Sequence, residues 1–139
     1  TPYQFTDVNG HKVTSQDFED KIVLMDFWFT GCLPCTSIPP ILKSIMKRLK
    51  HRSDVVYLSV SLDPNMETFT KGLQSGKYTV PGEVHVFTEG RNHPFVQKYR
   101  IGIAPQIVLI GKHGKIISFN EEIRKDNGER VIQLIEKEK

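Results

Sequence analysis

The sequence predicts an α/β fold, a three-layer sandwich with a mixed central β-sheet and an N-terminal β-hairpin extension. Three observations carry this. Strand-length apolar runs alternate with segments of helical spacing as far as about residue 100. Short runs flank turn signals at both ends, Asn9-Gly10 near the start and "KHGK" near the finish. The chain closes on an amphipathic segment.

The elements follow in order. "QFTDVNGHKV" (Gln4–Val13) centres on Asn-Gly, the preferred pair for a two-residue type I′ turn, and predicts a hairpin. "TSQDFED" reads as a loop or one helical turn. "KIVLMDFWF" (Lys21–Phe29) is nearly all apolar, as a strand covered on both faces must be. From Cys32 to about Arg52 the spacing of Ile38, Ile41, Leu42, Ile45 and Leu49 is helical. "VVYLSVSLD" (Val55–Asp63) is rich in β-branched residues and predicts the next strand.

A helix then opens at Pro64 and stops between Gly72 and Gly76, with Asp63 placed to cap it. "EVHVFTEG" (Glu83–Gly90) is a short strand, and "HPFVQKYRIG" is a helix of about two turns ending at Gly102. Pro105–Gly111 and Lys115–Phe119 form a second hairpin. "DNGERVIQLIEKEK" is the last helix, with Asp126 and Glu129 spaced like a capping box.

Composition excludes several classes. The 139 residues suit one domain with a real core. Net charge is +3, too small to argue for nucleic acid, and the basic stretch Lys43–Arg52 reads as a solvated helix face. No apolar run approaches the roughly 18–20 residues of a membrane span. The first ten residues show no basic start and no apolar region, so no signal peptide is read there.

Both cysteines lie in "FWFTGCLPCTSIPP". A structural zinc ion needs four ligands, and the five histidines are scattered without ligand spacing. A purely structural disulfide closing so short a loop would restrain little of the unfolded chain. The redox reading has a positive mechanism. Cys32 follows a buried strand at the first turn of a helix, where free N–H groups and the helix dipole favour a thiolate. Cys35 lies one turn on, in reach of a mixed disulfide at Cys32. Pro34 fits a first helical turn because its missing N–H costs nothing there. Asp26 interrupts the apolar strand, and a buried carboxylate needs a partner or a raised pKa.

"VLMDFWFTGCLPCTSIPPIL" resembles the active-site segment of the thioredoxin fold. The chain as a whole is most similar to TlpA-type thiol–disulfide oxidoreductases. The hairpin leading into "KIVLMDFW", the "FW" ahead of the cysteines, Pro40 in the active-site helix and "KYRIGIAPQIVLIGKHGKI" carry the likeness. The resemblance implies one thioredoxin-like domain over residues 1–139. It implies that Cys32 attacks, Cys35 resolves and Asp26 accepts the Cys35 proton. It implies a cis bond before Pro105, with Ala104 pairing to an extended substrate beside Trp28, Gly31, Leu33 and Pro34.

The chain also departs from the family. Ser59 stands where thioredoxins carry a lysine for the aspartate, Gly31 replaces a tryptophan, and Gln106 replaces a threonine after the proline. The expected partners are disulfide-containing protein substrates and an upstream dithiol reductant protein, with no nucleic acid and no organic or metal cofactor beyond the Cys32–Cys35 disulfide. The expected location is periplasm or cell envelope. A redoxin-type thiol peroxidase lacks its Pro and Thr, since Met25 and Phe29 stand at those places, and a copper metallochaperone lacks its cysteine spacing and histidine.

Overall fold

A computed structural model describes residues 2–138. Its central sheet has seven strands: β1 (Gln4–Asp7), β2 (Lys12–Thr14), β3 (Ile22–Trp28), β4 (Val55–Ser61), β5 (Val84–Phe87), β6 (Gln106–Ile110) and β7 (Ile116–Phe119). Their order across the sheet is β2-β1-β5-β4-β3-β6-β7. The β3–β4 and β4–β5 pairs are parallel and the rest antiparallel, so the sheet is mixed as expected. Four helices accompany it: α1 (Ile38–Arg48), α2 (Met66–Ser75), α3 (Pro94–Lys98) and α4 (Glu129–Lys137).

The central strand β3 explains the fold's stability and its site. All seven of its residues are buried, and side chains alternate between faces. Val23, Met25 and Phe27 enter a core with Phe5, Val60, Phe95 and Val108. Ile22 and Leu24 enter the other, with Ile38, Leu42 and Ile45 of α1 and Val131, Ile132 and Ile135 of α4. Each such aliphatic side chain contributes roughly 1.5–3 kcal/mol by leaving water. Trp28, at the strand's end, packs with Cys32, Cys35, Phe69, Tyr78 and Phe87.

Local chemistry changes four details of the sequence reading. The first hairpin is joined by Val8, Asn9 and Gly10, three residues rather than two. The Gly10 N–H donates to Asp7 and the Asp7 N–H to His11, and Gly10 takes φ +82°. That is a type I turn followed by a left-handed residue. The helix expected from Cys32 is divided into a 3-10 turn, Pro34–Ser37, and α1. Pro39 and Pro40 have no N–H to donate to the preceding turn, so the α-helical ladder starts only with them in its first turn. The cap of α2 is Asn65, whose side chain accepts from the Thr68 N–H, and not Asp63. At α4 the Asp126 carboxylate accepts from Gly128 and Arg130 N–H groups, each at 3.0 Å. Glu129 turns instead to the Arg48 guanidinium, so the reciprocal half of the capping box is absent.

Candidate active site

Cys32 and Cys35 form a disulfide, with S–S 2.10 Å and Cα–Cα 5.3 Å. Cys32 precedes the 3-10 turn by two residues rather than lying in a first α-helical turn. Its carbonyl accepts the Cys35 N–H at 3.2 Å, which curls the second cysteine back beneath the first. Both are nearly sealed, at 3% and 1% exposure. Across a gap of sequence the loop before β6 returns to them. The Ala104–Pro105 peptide is cis, and the Ala104 carbonyl oxygen lies 3.6 Å from Cys32 Sγ. Around this point Leu33 and Ile103 are apolar yet 79% and 74% exposed. Gly31 and Pro34 are exposed beside them. Five of the expected residues (Cys32, Gly31, Leu33, Ala104 and Pro105) thus meet at one surface, with Cys35 just below.

The loop that presents Cys32 is held by residues distant in sequence. The Thr30 N–H donates to Asp63 Oδ1 at 3.0 Å and its hydroxyl to Oδ2 at 2.7 Å. The Gly31 N–H donates to the Tyr78 hydroxyl at 2.8 Å. Gly31 itself has φ +94°, a conformation that side-chain-bearing residues rarely adopt. A backbone requirement therefore stands where a tryptophan was the usual residue. Helix α2 approaches so closely that a Cβ on Gly72 would lie 2.8 Å from Trp28 Cζ3 and strike Thr30 Oγ1.

Trp28 is not a wall facing a substrate. It is 1% exposed, because its place on β3 turns it under the loop. Its indole N–H donates to Ser59 Oγ at 2.8 Å, and its ring stacks on Tyr78 at 4.9 Å and 10°. Ser59 is thus engaged by Trp28 rather than standing in for a lysine. Gln106 is 5% exposed, inside the sheet, and does not reach the substrate surface.

Asp26 lies two residues before Trp28 on the same face of β3, between Leu24 under α1 and Trp28 under the cysteines. It is 1% exposed, and neither carboxyl oxygen has a hydrogen-bond partner among the described residues. Burial pushes its pKa up to about 7. A group there accepts a proton near neutral pH, as a general base must. The parts played by Tyr78, Thr30 and Asp63 are not readable from the sequence. Their contacts span tens of residues and leave no local spacing to find.

A family model described as thioredoxin-like matches residues 20–116. The chain is 27% identical over 133 residues to the thiol-disulfide oxidoreductase ResA of Bacillus thuringiensis subsp. konkukian, covering 94% of this chain and 69% of that one. Against thioredoxin from Staphylococcus aureus it is 36% identical over 58 residues, 39% of this chain and 56% of the other. The thioredoxin domain of a thiol-disulfide oxidoreductase from Bacteroides vulgatus superposes with TM-score 0.77 at 26% identity, covering 99% of this chain and 92% of that one. A thiol:disulfide interchange protein from Bacteroides sp. gives 0.74 at 28%, covering 99% and 85%. A model match over most of the chain, with a cysteine pair closed into a disulfide at the end of the central strand, means that this chain belongs to the thioredoxin-like family and is a dithiol–disulfide oxidoreductase.

Proposed function

We propose that the protein reduces disulfides in protein substrates. In the reduced enzyme the Cys32 thiolate attacks one sulfur of a substrate disulfide. The substrate S–S bond breaks, a Cys32–substrate disulfide forms, and one substrate thiolate leaves. Cys35 then gives its proton to the Asp26 carboxylate and attacks Cys32 Sγ. The second substrate thiolate leaves, and the Cys32–Cys35 disulfide remains. Two electrons have passed to the substrate. A protein dithiol upstream returns them, so the cycle calls for no organic cofactor or metal.

The observation that carries the reading is the approach of the Ala104 carbonyl to Cys32 Sγ, 3.6 Å away, beside the exposed Leu33 and Ile103. An extended substrate strand that pairs with Ala104 brings its own disulfide over Cys32 while its apolar neighbours cover those two side chains. We assign the protein to the TlpA-type branch on the likeness of its hairpin, its cysteine segment and its Lys98–Ile116 stretch, and by that resemblance to the periplasm or cell envelope, where TlpA-type proteins mostly reside. No helix among the described residues is long and apolar enough to cross a membrane.

Trapping tests the reading. The Cys35→Ser protein accumulates mixed disulfides through Cys32, and Cys32→Ala loses reductase activity. Full activity in the Cys32→Ala protein sinks the proposal. The potential of the couple reports its direction. A value near about −270 mV supports a reductant and one near about −120 mV an oxidant.

A further inference from the structure

Strand register places Asp26 beside Ser59 on β4, and Ser59 beside His85 on β5. Neighbouring strands lie about 4.8 Å apart, so these three side chains form one row on one face of the sheet. Tyr57, two residues earlier than Ser59 on β4, faces the same way, and Glu83, in the bend ahead of β5, turns its side chain onto Val80, which packs in the same α1-side core as Leu24 and Ile38. Among the described residues, the buried side-chain atoms without a hydrogen-bond partner are Asp26 Oδ1 and Oδ2, Tyr57 Oη, Glu83 Oε2 and His85 Nδ1. All of them belong to this patch. Buried polar atoms are almost always paired in folded proteins, and a cluster of exceptions asks for a chemical reason.

Among the described residues no cation acts on Asp26 or Glu83; Arg52 acts on Tyr57 at the other end of the patch and is itself engaged by Asp54. Helix α1 lays Ile38, Leu42 and Ile45 over the sheet while Lys43, Lys47 and Arg48 point to solvent. Strand β6 sets Ile107 beside Asp26, and the segment before β5 adds Tyr78 and Val80. Glu83 is 8% exposed, against 1% for Asp26. One Glu83 oxygen accepts the Val80 N–H at 2.6 Å, which leaves Oε2 to face the patch. Burial raises the Glu83 pKa first, and the charge of Asp26 raises it further. Burial lowers that of His85, which keeps the imidazole neutral.

We propose that Glu83 and Asp26 form a buried carboxyl pair, in which Glu83 takes on the proton that Asp26 receives from Cys35 and releases one to solvent. The inference rests on the proton-acceptor role given to Asp26 above. With the pair holding one proton, on Glu83, Asp26 is a carboxylate. Cys35–SH and Asp26–COO⁻ become Cys35–S⁻ and Asp26–COOH. Glu83, nearer the surface, gives its proton to water and accepts the one on Asp26, which restores the starting state. Glu83 is a positioning residue that does not touch substrate.

Carboxyl-carbon NMR of the oxidised protein tests the pairing without thiol titration. Asp26 titrates in two steps in the wild type, because each carboxyl feels the other's charge. In Glu83→Gln, whose amide oxygen still accepts from Val80, it titrates in one. Over successive turnovers with substrate in excess, Glu83→Gln slows breakdown of the mixed disulfide at neutral pH by about tenfold or more, while formation of that disulfide by Cys32 is unchanged. A single Asp26 step in the wild type, which requires no variant to fold, overturns the pairing. So does an Asp26 curve that Glu83→Gln leaves unaltered. Asp26→Asn separates the two ideas. If it resolves at the wild-type rate, the proton-acceptor role itself is lost; if it is slow while Glu83→Gln is fast, only the pairing is.

Discussion

Asp63 accepts two hydrogen bonds from Thr30, one from its backbone N–H at 3.0 Å and one from its hydroxyl at 2.7 Å. The carboxylate is 3% exposed and stands at the end of β4, so it clamps the loop that carries Cys32 to the neighbouring strand. Asp63→Ala leaves both Thr30 groups without this acceptor. The hydroxyl keeps the Thr68 carbonyl as an acceptor, so the half-buried backbone N–H is the group left without a partner, at a cost of about 1–3 kcal/mol. Urea denaturation will show a loss in that range, and the rate at which the reduced protein reduces a model protein disulfide will fall with it.

Gly72 sets two effects against each other. Alanine is the better helix former by about 1 kcal/mol. At this place its Cβ would lie 2.8 Å from Trp28 Cζ3 and press on Thr30, and overpacking costs about 1–3 kcal/mol. Steric strain wins. Gly72→Ala lowers the unfolding midpoint, whereas alanine at a glycine in an open helix would raise it.

Gly31 has open space where a Cβ would go, so its requirement is conformational alone. At φ +94° an alanine costs about 1–2 kcal/mol. Tyr78→Phe removes the acceptor of the Gly31 N–H and costs about 1 kcal/mol. The two substitutions act on one peptide segment, so their effects will not add in a double-mutant cycle.

The Asp26 carboxyl makes stability depend on pH with a definite sign. Its pKa lies at about 4 in the unfolded chain and is pushed up to about 7 in the fold. Between those values the native state keeps a proton that the unfolded chain has lost. Stability therefore falls as pH rises through that window. Glu83, also raised by burial, carries the decline further. Asp26→Asn flattens the profile between pH 4 and 7 and stabilises the protein most at the upper end. Chemical denaturation at several pH values reads this directly, and an unchanged slope would contradict the buried-acid account.

What was legible in the sequence was what periodicity and spacing encode. The apolar run of β3, the alternation of strands and helices, and the cysteine pair beyond a buried strand follow from local pattern, and the structure has them. The unreadable part is long-range. Asp63 stands directly before Pro64 and looks like a helix cap, but Asn65 performs that task and frees Asp63 for Thr30, 33 residues away. Tyr78 meets Gly31 across 47 residues. The resemblance puts Trp28 beside the substrate, whereas its place on β3 turns it inward, 1% exposed. Gly31 stands where the resemblance leads one to look for a tryptophan, and its positive backbone angle accounts for it.

Trp28 is the one tryptophan in the chain, and it is sealed in the cluster that contains both sulfurs. A cystine quenches a neighbouring excited indole by accepting its electron, and a dithiol does so far less. The protein thus carries an internal optical gauge of its own oxidation state. Reduction of the Cys32–Cys35 disulfide should therefore raise the emission of Trp28, and a fluorimeter reading unchanged between the two forms would contradict this.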